Sequence, residues 1–269
     1  MSAAAKDLAV VARNAFSETV DLDGYVPRVA TESLLASIDQ WRTQDRLGSS
    51  LAALVTEPGI GKTFFLRLVE DRINRDAAAA GRTTRALYLP YAGLSFIDLA
   101  SWVYGLLGAT YPYAERSDDP NQSLSALFAL AGGPSDPFFL LIDDADSMHE
   151  ETIQVFAEGL PPENSPLRIL TALGDDARSS ELLAELSALE PSVAIVRKPL
   201  SEDETAAYLW HRLRWVGLAE EAVGGLDIDR VSRIHALSGG IPREIHRVMT
   251  EVVDAREKGL PDPLAEEEG

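Results

Sequence analysis

Cysteine is absent from the 269 residues, which excludes a disulfide framework and any thiolate metal site and fits a reducing compartment. The four histidines (His149, His211, His235 and His246) show none of the H-E-x-x-H spacing of a metal-binding helix. They read as helix-surface or half-buried residues. No uninterrupted apolar run approaches the ~18–20 residues needed to cross a bilayer. Residues 1–11 carry an Ala/Val-rich patch interrupted by Lys6-Asp7, without the basic leader or cleavage region of a secretory signal. Positive charge is scarce as well: 24 Lys and Arg stand against 43 Asp and Glu, a net charge of −19. Such a balance repels phosphate backbones and argues against broad nucleic-acid binding. Residues 257–269 supply only −4 of it, and the best candidate for a local basic face is 199–256, with seven arginines against ten acids. A soluble, cytoplasmic protein without a membrane span is expected.

The chain has ample apolar material, at 46% hydrophobic, for one large domain or a large one with a small companion. Its most informative stretch runs from Ser50 to Thr63. Ser50 to Val55 reads as a buried strand, and a helix opens at Lys62. The loop between them, Thr56-Glu57-Pro58-Gly59-Ile60-Gly61-Lys62-Thr63, fits G-x-x-x-x-G-K-[ST] except that Thr56 stands at the first glycine. A phosphate chain wrapped by backbone N–H groups needs a backbone that turns sharply and approaches closely, which Gly59 and Gly61 permit. Lys62 is placed to reach the β/γ-phosphates and the Thr63 hydroxyl to meet Mg²⁺. The following helix, beginning with Phe64 and Phe65, directs its positive end at the same anion. All eight loop residues and Phe64 are therefore assigned to nucleotide binding.

A second motif supports the first. Phe138-Phe139-Leu140-Leu141-Ile142 is a continuous apolar run suited to a strand buried on both faces of a parallel sheet. It ends in Asp143-Asp144, where α/β proteins place their ligands. Asp143 is expected to hold Mg²⁺ directly or through water, and Asp144 to polarise an attacking water. No guanine-reading Asn-Lys-x-Asp motif is present.

The remaining elements alternate. Residues 1–24 read as an amphipathic or loosely held lead-in, and Tyr25-Val26-Pro27 as an extended piece. A helix is expected over Thr31–Trp41, with Thr31 as N-cap and Leu34, Leu35, Ile38 and Trp41 on one stripe. Further strands are expected at 86–89, 167–173 and 193–196, the last as a core strand. Helices are expected at 62–80, 95–107, 124–130, 150–159 and 180–189, with 108–123 a loop and Leu106 among the inward residues of the second. Alternating strands and helices argue for an α/β domain with a parallel sheet over residues 25–198. Periodicity changes at Pro199. Ser201-Glu202-Asp203-Glu204 is a capping box, and three short helices follow as a lid over 199–256. Leu209, Leu213, Val216, Val231, Ile234, Leu237, Ile245, Val248, Met249 and Val252 are expected inward, and Pro242 at a first helical position. Arg243 is the odd residue, because a cation in the first helical turn opposes the helix dipole. Pairing with Glu244 or Asp229, simple hydration, or a bound phosphate would each account for it. Residues 257–269 read as a disordered acidic tail.

Taken together, the chain resembles AAA+ ATPases, a P-loop NTPase family. It is most like the branch of the general-secretion-pathway ATPase component A and the transposition ATP-binding proteins. The likeness spans about residues 15 to 255 and rests on the Thr56–Thr63 loop, Leu140-Leu141-Ile142-Asp143-Asp144-Ala145-Asp146, Pro199-Leu200-Ser201-Glu202-Asp203-Glu204-Thr205 and Ser238-Gly239-Gly240-Ile241-Pro242-Arg243. It implies that Arg243 is the sensor-2 arginine on the γ-phosphate and Asp175 a polar sensor 1, with Thr171 the alternative. Tyr25-Val26-Pro27 and Ile241-Pro242 would border the adenine. Three departures stand out: Thr56 for glycine, Asp144 for the usual glutamate, and Glu190 near the place of an arginine acting on a neighbouring subunit. Arg178 and Arg197 are poor substitutes for that arginine. The secretion-type relatives continue into a membrane span and a wall-binding domain, and those functions are not carried over.

The expectation is an ATP- and Mg²⁺-dependent switch with slow hydrolysis, in which Lys62, Asp144, Arg243 and Asp175 act in catalysis and Thr63 and Asp143 hold the metal. Nucleotide-dependent self-association and an unidentified protein partner go with it. Two alternatives stand beside it: a DNA-associated transposition-type regulator, supported by Arg212, Arg214, Arg230, Arg233 and Arg247, and an adaptor that holds nucleotide without turnover.

Overall fold

The computed structural model describes residues 11–17, 19–43, 49–112, 119–196, 198–218 and 225–265. The chain divides into two compact units: Ala30–Pro58 with Lys62–Arg197, and Met1–Val29 with Gly59–Gly61 and Lys198–Gly269.

The first unit is built on a five-stranded sheet. Its strands are β1 (Leu51–Thr56), β2 (Ala86–Leu89), β3 (Phe138–Ile142), β4 (Leu167–Leu173) and β5 (Ser192–Val196), all paired in parallel in the order β2-β3-β4-β1-β5. Every residue of β1, β3 and β4 is buried, as continuous apolar runs in a sheet covered on both faces require. The helices are α1 (Val29–Thr43), α2 (Lys62–Ala79), α3 (Phe96–Leu106), α4 (Pro120–Ala129), α5 (Glu150–Gly159) and α6 (Ala177–Glu185). Phe96 of α3 and Phe156 of α5 meet edge to face at 5.3 Å, among Leu99, Val103, Leu127 and Ile142. Arg168 of β4 is buried with its guanidinium on the carbonyls of Trp41 (2.7 Å) and Arg42 (3.0 Å), where a cation satisfies the end of α1.

Several expectations need correction here. Among the described residues β5 is an edge strand bound only to β1, so Val193 and Ile195, expected in the core, are 45% and 56% exposed. Helix α1 begins two residues before Thr31, which therefore lies inside it and not at its cap. Helix α4 begins at Pro120, inside the expected loop, because Asp119 accepts the Asn121 amide and proline fits the first helical position. Leu106 faces outward, at 49% exposure, and Tyr104 is buried in α3 instead. Helix α6 starts at Ala177, capped by Asp176, and gives way to a 3₁₀ turn over Leu186–Leu189.

The second unit is helical. Helices α7 (Glu202–Trp215), α8 (Ile228–Ser238) and α9 (Pro242–Lys258) bury Leu209, Leu213, Ile234, Ile245, Val248, Met249 and Val252. The Ser201–Glu204 capping box forms with both of its hydrogen bonds. Gly240 is obligatory between α8 and α9. It sits at φ 70°, and a Cβ there would lie 2.1 Å from the Leu200 carbonyl oxygen. Val216 is half-buried, and Leu237, expected inward, is 55% exposed because it falls on the outer side of α8.

Both ends of the described chain pack here. Residues 11–15 are helical, Ala12, Ala15 and Phe16 join the core, and Arg13 pairs with Asp254 at 2.6 Å. Part of the expected lead-in is thus structural, while residues 1–10 lie outside the described residues. The tail is corrected likewise. Helix α9 continues to Lys258, Leu264 is buried, its carbonyl accepts from Arg233, and Asp262 pairs with Arg230. Residues 266–269 lie outside the described set.

His246 of α9 is half-buried, edge-on to Phe16 and stacked on Tyr208, whose hydroxyl lies 2.7 Å from Nε2. Burial first, then the Arg212 charge, lower its pKa from 6.5 to about 4. A group held neutral in this way stabilises the fold fully above the unfolded-state value of 6.5. That contribution is lost as pH falls from there toward 4. From pH 7 to pH 5 this group alone costs about 2 kcal/mol. The His246→Gln variant should lose correspondingly less stability over that interval in urea unfolding at the two pH values.

Candidate functional site

Strand β1 ends at Thr56, and α2 begins at Lys62, so the loop between them is as short as the sequence implied. Gly59 (φ 84°) and Gly61 (φ 108°) adopt left-handed conformations that L side chains resist, and a Cβ on Gly61 would meet nothing within 4 Å. That combination leaves open space above a turned backbone. Thr56 is buried at the strand end, its hydroxyl donating to the Glu57 carbonyl at 3.0 Å. It is not among the positive-φ residues, so the missing first glycine costs this loop no backbone strain. Lys62 donates to the Thr56 carbonyl at 3.4 Å, a long contact that leaves its charge available.

The two expected metal-holding residues meet. Thr63, in the first turn of α2, donates its hydroxyl to Asp143 Oδ2 at 2.6 Å. Asp143, 4% exposed after β3, receives a second donor on the same oxygen from the Tyr88 hydroxyl at 2.9 Å. Its Oδ1 accepts the Asp144 amide at 3.1 Å. Burial, then the facing carboxylate, push the Tyr88 phenol well above its ordinary value. Tyr88 went unmarked in the sequence, because an aromatic in an apolar strand reads as packing, and only the register beside β3 gives it a polar partner.

A hydroxyl and a carboxylate oxygen are the hard donors that Mg²⁺ takes. Mg²⁺ is commonly held by one or two carboxylates together with substrate phosphates. Among the described residues no group of three or more His, Asp or Glu forms a metal site. The donor set fits an ion shared with a nucleotide better than a resident, fully caged one.

The other candidates fall into place unevenly. Asp144 occupies the left-handed region at φ 44° and ψ 44°, which a short polar side chain tolerates better than a long one. Asp175 is exposed beyond β4. Its neighbour Asp176 caps α6 at 2.8 Å, and the Ser179 amide and hydroxyl hold that carboxyl below the usual range, with a small contribution from the Lys62 charge. Thr171 is buried with its hydroxyl turned to the Ala52 carbonyl at 3.4 Å, which occupies it within the sheet. Glu190 is exposed at φ 48°, and Arg178 faces Glu181 and Glu185 at 3.7 and 3.8 Å; Arg197 lies outside the described residues.

In the helical unit, which includes Gly59–Gly61, the Arg243 amide donates to the Gly59 carbonyl at 3.3 Å. The Arg243 and Ile241 side chains stand against Gly59, where a Cβ would come within 3.2 Å and 2.9 Å of them. Glu244, one of the two acids considered as its partner, pairs with Arg247 at 2.8 Å. The other arginines of this unit are engaged. Arg212 is buried on the Ala15 carbonyl, Arg214 lies over Trp210, Arg230 meets Asp262, Arg233 meets the Leu264 carbonyl, and Arg247 meets Glu244 and Glu251.

The parallel sheet order, the glycine-turned loop after β1 and the acid after β3 define an α/β P-loop NTPase fold. Comparison with solved structures gives it as the fold of AAA+ ATPases. The Aeropyrum pernix ORC2 protein, solved in ADPNP–ADP complexes, superposes with TM-score 0.63 at 17% identity, over 92% of this chain and 68% of that one. Cdc6p from Pyrobaculum aerophilum gives 0.61 at 20% identity, over 92% and 66%. The Thermotoga maritima RuvB Holliday junction branch migration motor gives 0.54 at 14%, over 93% and 70%. The chain thus spans about two thirds of these proteins' length. No family model matches the sequence, and no curated protein matches it.

The left-handed Asp144 yields a direct test. Asp144→Gly should be more stable than Asp144→Ala by about 1 kcal/mol in urea unfolding, since both lack the carboxylate and only alanine is strained there.

Proposed function

We propose that this chain is a Mg²⁺- and ATP-binding switch that hydrolyses ATP slowly, associates with copies of itself and acts on a protein partner. The observation that carries the reading is the 2.6 Å contact of Thr63 with Asp143 beside a loop turned by two left-handed glycines. In this reading the loop amides and the α2 N-terminus bind the phosphates, and Lys62 and Arg243 offset their charge. Thr63 and Asp143 would hold Mg²⁺, which neutralises the triphosphate when bound. Asp144 would orient water for in-line attack on the γ-phosphorus, and Asp175 would sense the γ-phosphate. Asp144 is one methylene shorter than glutamate, and Glu190 stands where a trans-acting arginine is expected, so turnover is slow. A cytoplasmic location, and kinship with the general-secretion-pathway and transposition ATPase branch, belong to the same proposal. In the described residues no helix is long and apolar enough to cross a membrane.

A second reading, a DNA-associated regulator, is favoured by the names of two structural neighbours, a Drosophila ORC bound to DNA and the RuvB junction motor. The net charge of −19 and the engaged arginines of the helical unit weigh against it. An ATP-dependent, salt-sensitive gel shift of duplex DNA would promote it.

Lys62→Ala should abolish ATP binding in equilibrium titration with a fluorescent analogue, and unchanged affinity would overturn the site assignment. In a multiple-turnover phosphate-release assay the native chain should be slow and Asp144→Glu faster. No release at all would leave the non-hydrolysing adaptor.

A further inference from the structure

The Asp143 carboxylate is held by more than its expected partner. Oδ2 accepts the hydroxyls of both Thr63 (2.6 Å) and Tyr88 (2.9 Å), and Oδ1 accepts the Asp144 amide. Tyr88 is itself fixed from three directions. Its β2 backbone pairs with β3, where it stands opposite Leu141. Its amide donates to Glu70 Oε1 at 2.9 Å. The Arg67 guanidinium lies 4.3 Å from its ring centroid and is tied to Glu70 at 2.8 Å. Arg67 and Glu70 belong to α2, the helix that carries Thr63 on its first turn. A phenol so braced has little freedom to leave the carboxylate.

We infer that Tyr88 is a positioning residue for the metal: its hydroxyl fixes the Asp143 carboxylate so that Oδ2 receives the Thr63 proton. The Thr63 oxygen lone pairs then remain directed away from the protein, available to a divalent cation. Removing the phenol leaves one lone pair of a buried carboxylate unpaired and frees the group to turn about its Cβ–Cγ bond. The Thr63 hydroxyl then loses its fixed orientation. Groups that orient metal-holding side chains in this way commonly contribute about 10- to 100-fold to metal affinity. The role rests on the Mg²⁺–ATP reading above and extends it to a residue outside the phosphate loop and the Asp143-Asp144 pair.

The test is equilibrium binding of a fluorescent ATP analogue to the full chain, in Mg²⁺ and in EDTA, with thermal melting of each apo variant. Tyr88→Phe should bind the analogue in EDTA as the native chain does. It should also lose about 10-fold of the Mg²⁺-dependent gain in affinity. Arg67→Ala keeps the phenol but removes the brace over its ring, and should lose part of the same gain. Should Tyr88→Phe retain the native gain, or lose affinity equally in Mg²⁺ and EDTA, the positioning role is overturned while nucleotide binding stands. Should the native chain bind no nucleotide in either condition, the underlying reading falls and this role with it.

Discussion

Burying the Asp143 carboxylate is the constraint on which the α/β unit turns. A carboxylate taken from water costs several kcal/mol unless donors replace its hydration. Here the donors arrive from three places: the first turn of α2, strand β2 and the amide of Asp144. Helix, neighbouring strand and following turn must therefore hold their mutual positions for the charge to be tolerated. The parallel register of β2 with β3, and the placement of β4 between β3 and β1, make that geometry available. Loss of any one donor would expose the same unpaid cost.

The reach of the sequence was greatest where one residue type has one job. Gly59 and Gly61 take the left-handed conformations that the loop motif demands, and the apolar runs of β1, β3 and β4 are buried throughout. Thr63 and Asp143, eighty positions apart in the chain, meet as the motif pair implied. Legibility failed where the answer depended on neighbours. Whether Val193 and Ile195 are core or edge depends on what lies beyond β5, which periodicity cannot state. Tyr88 needed the strand register. Residues 257–265 open a stretch whose acidic end at Glu266–Glu268 reads as a solvated tail, yet Leu264, Asp262 and the carbonyl that Arg233 holds find partners on the helical unit.

Charge gives a similar lesson. The arginines of the helical unit lower its acidity in a tally but are committed to Asp262, Glu244, Glu251 and backbone carbonyls. Their electrostatic reach outward is correspondingly reduced. Arg243 differs in position, since its backbone bonds to Gly59 and its side chain begins at the loop tip.

The most direct measurement of the central claim is a crystal structure of the chain grown with Mg²⁺ and a slowly hydrolysed ATP analogue. The account predicts a triphosphate on the amides from Gly59 to Thr63, with a cation on the Thr63 hydroxyl oxygen. A nucleotide bound elsewhere, or a loop left empty at saturating analogue with Thr63 and Asp143 apart, would contradict it.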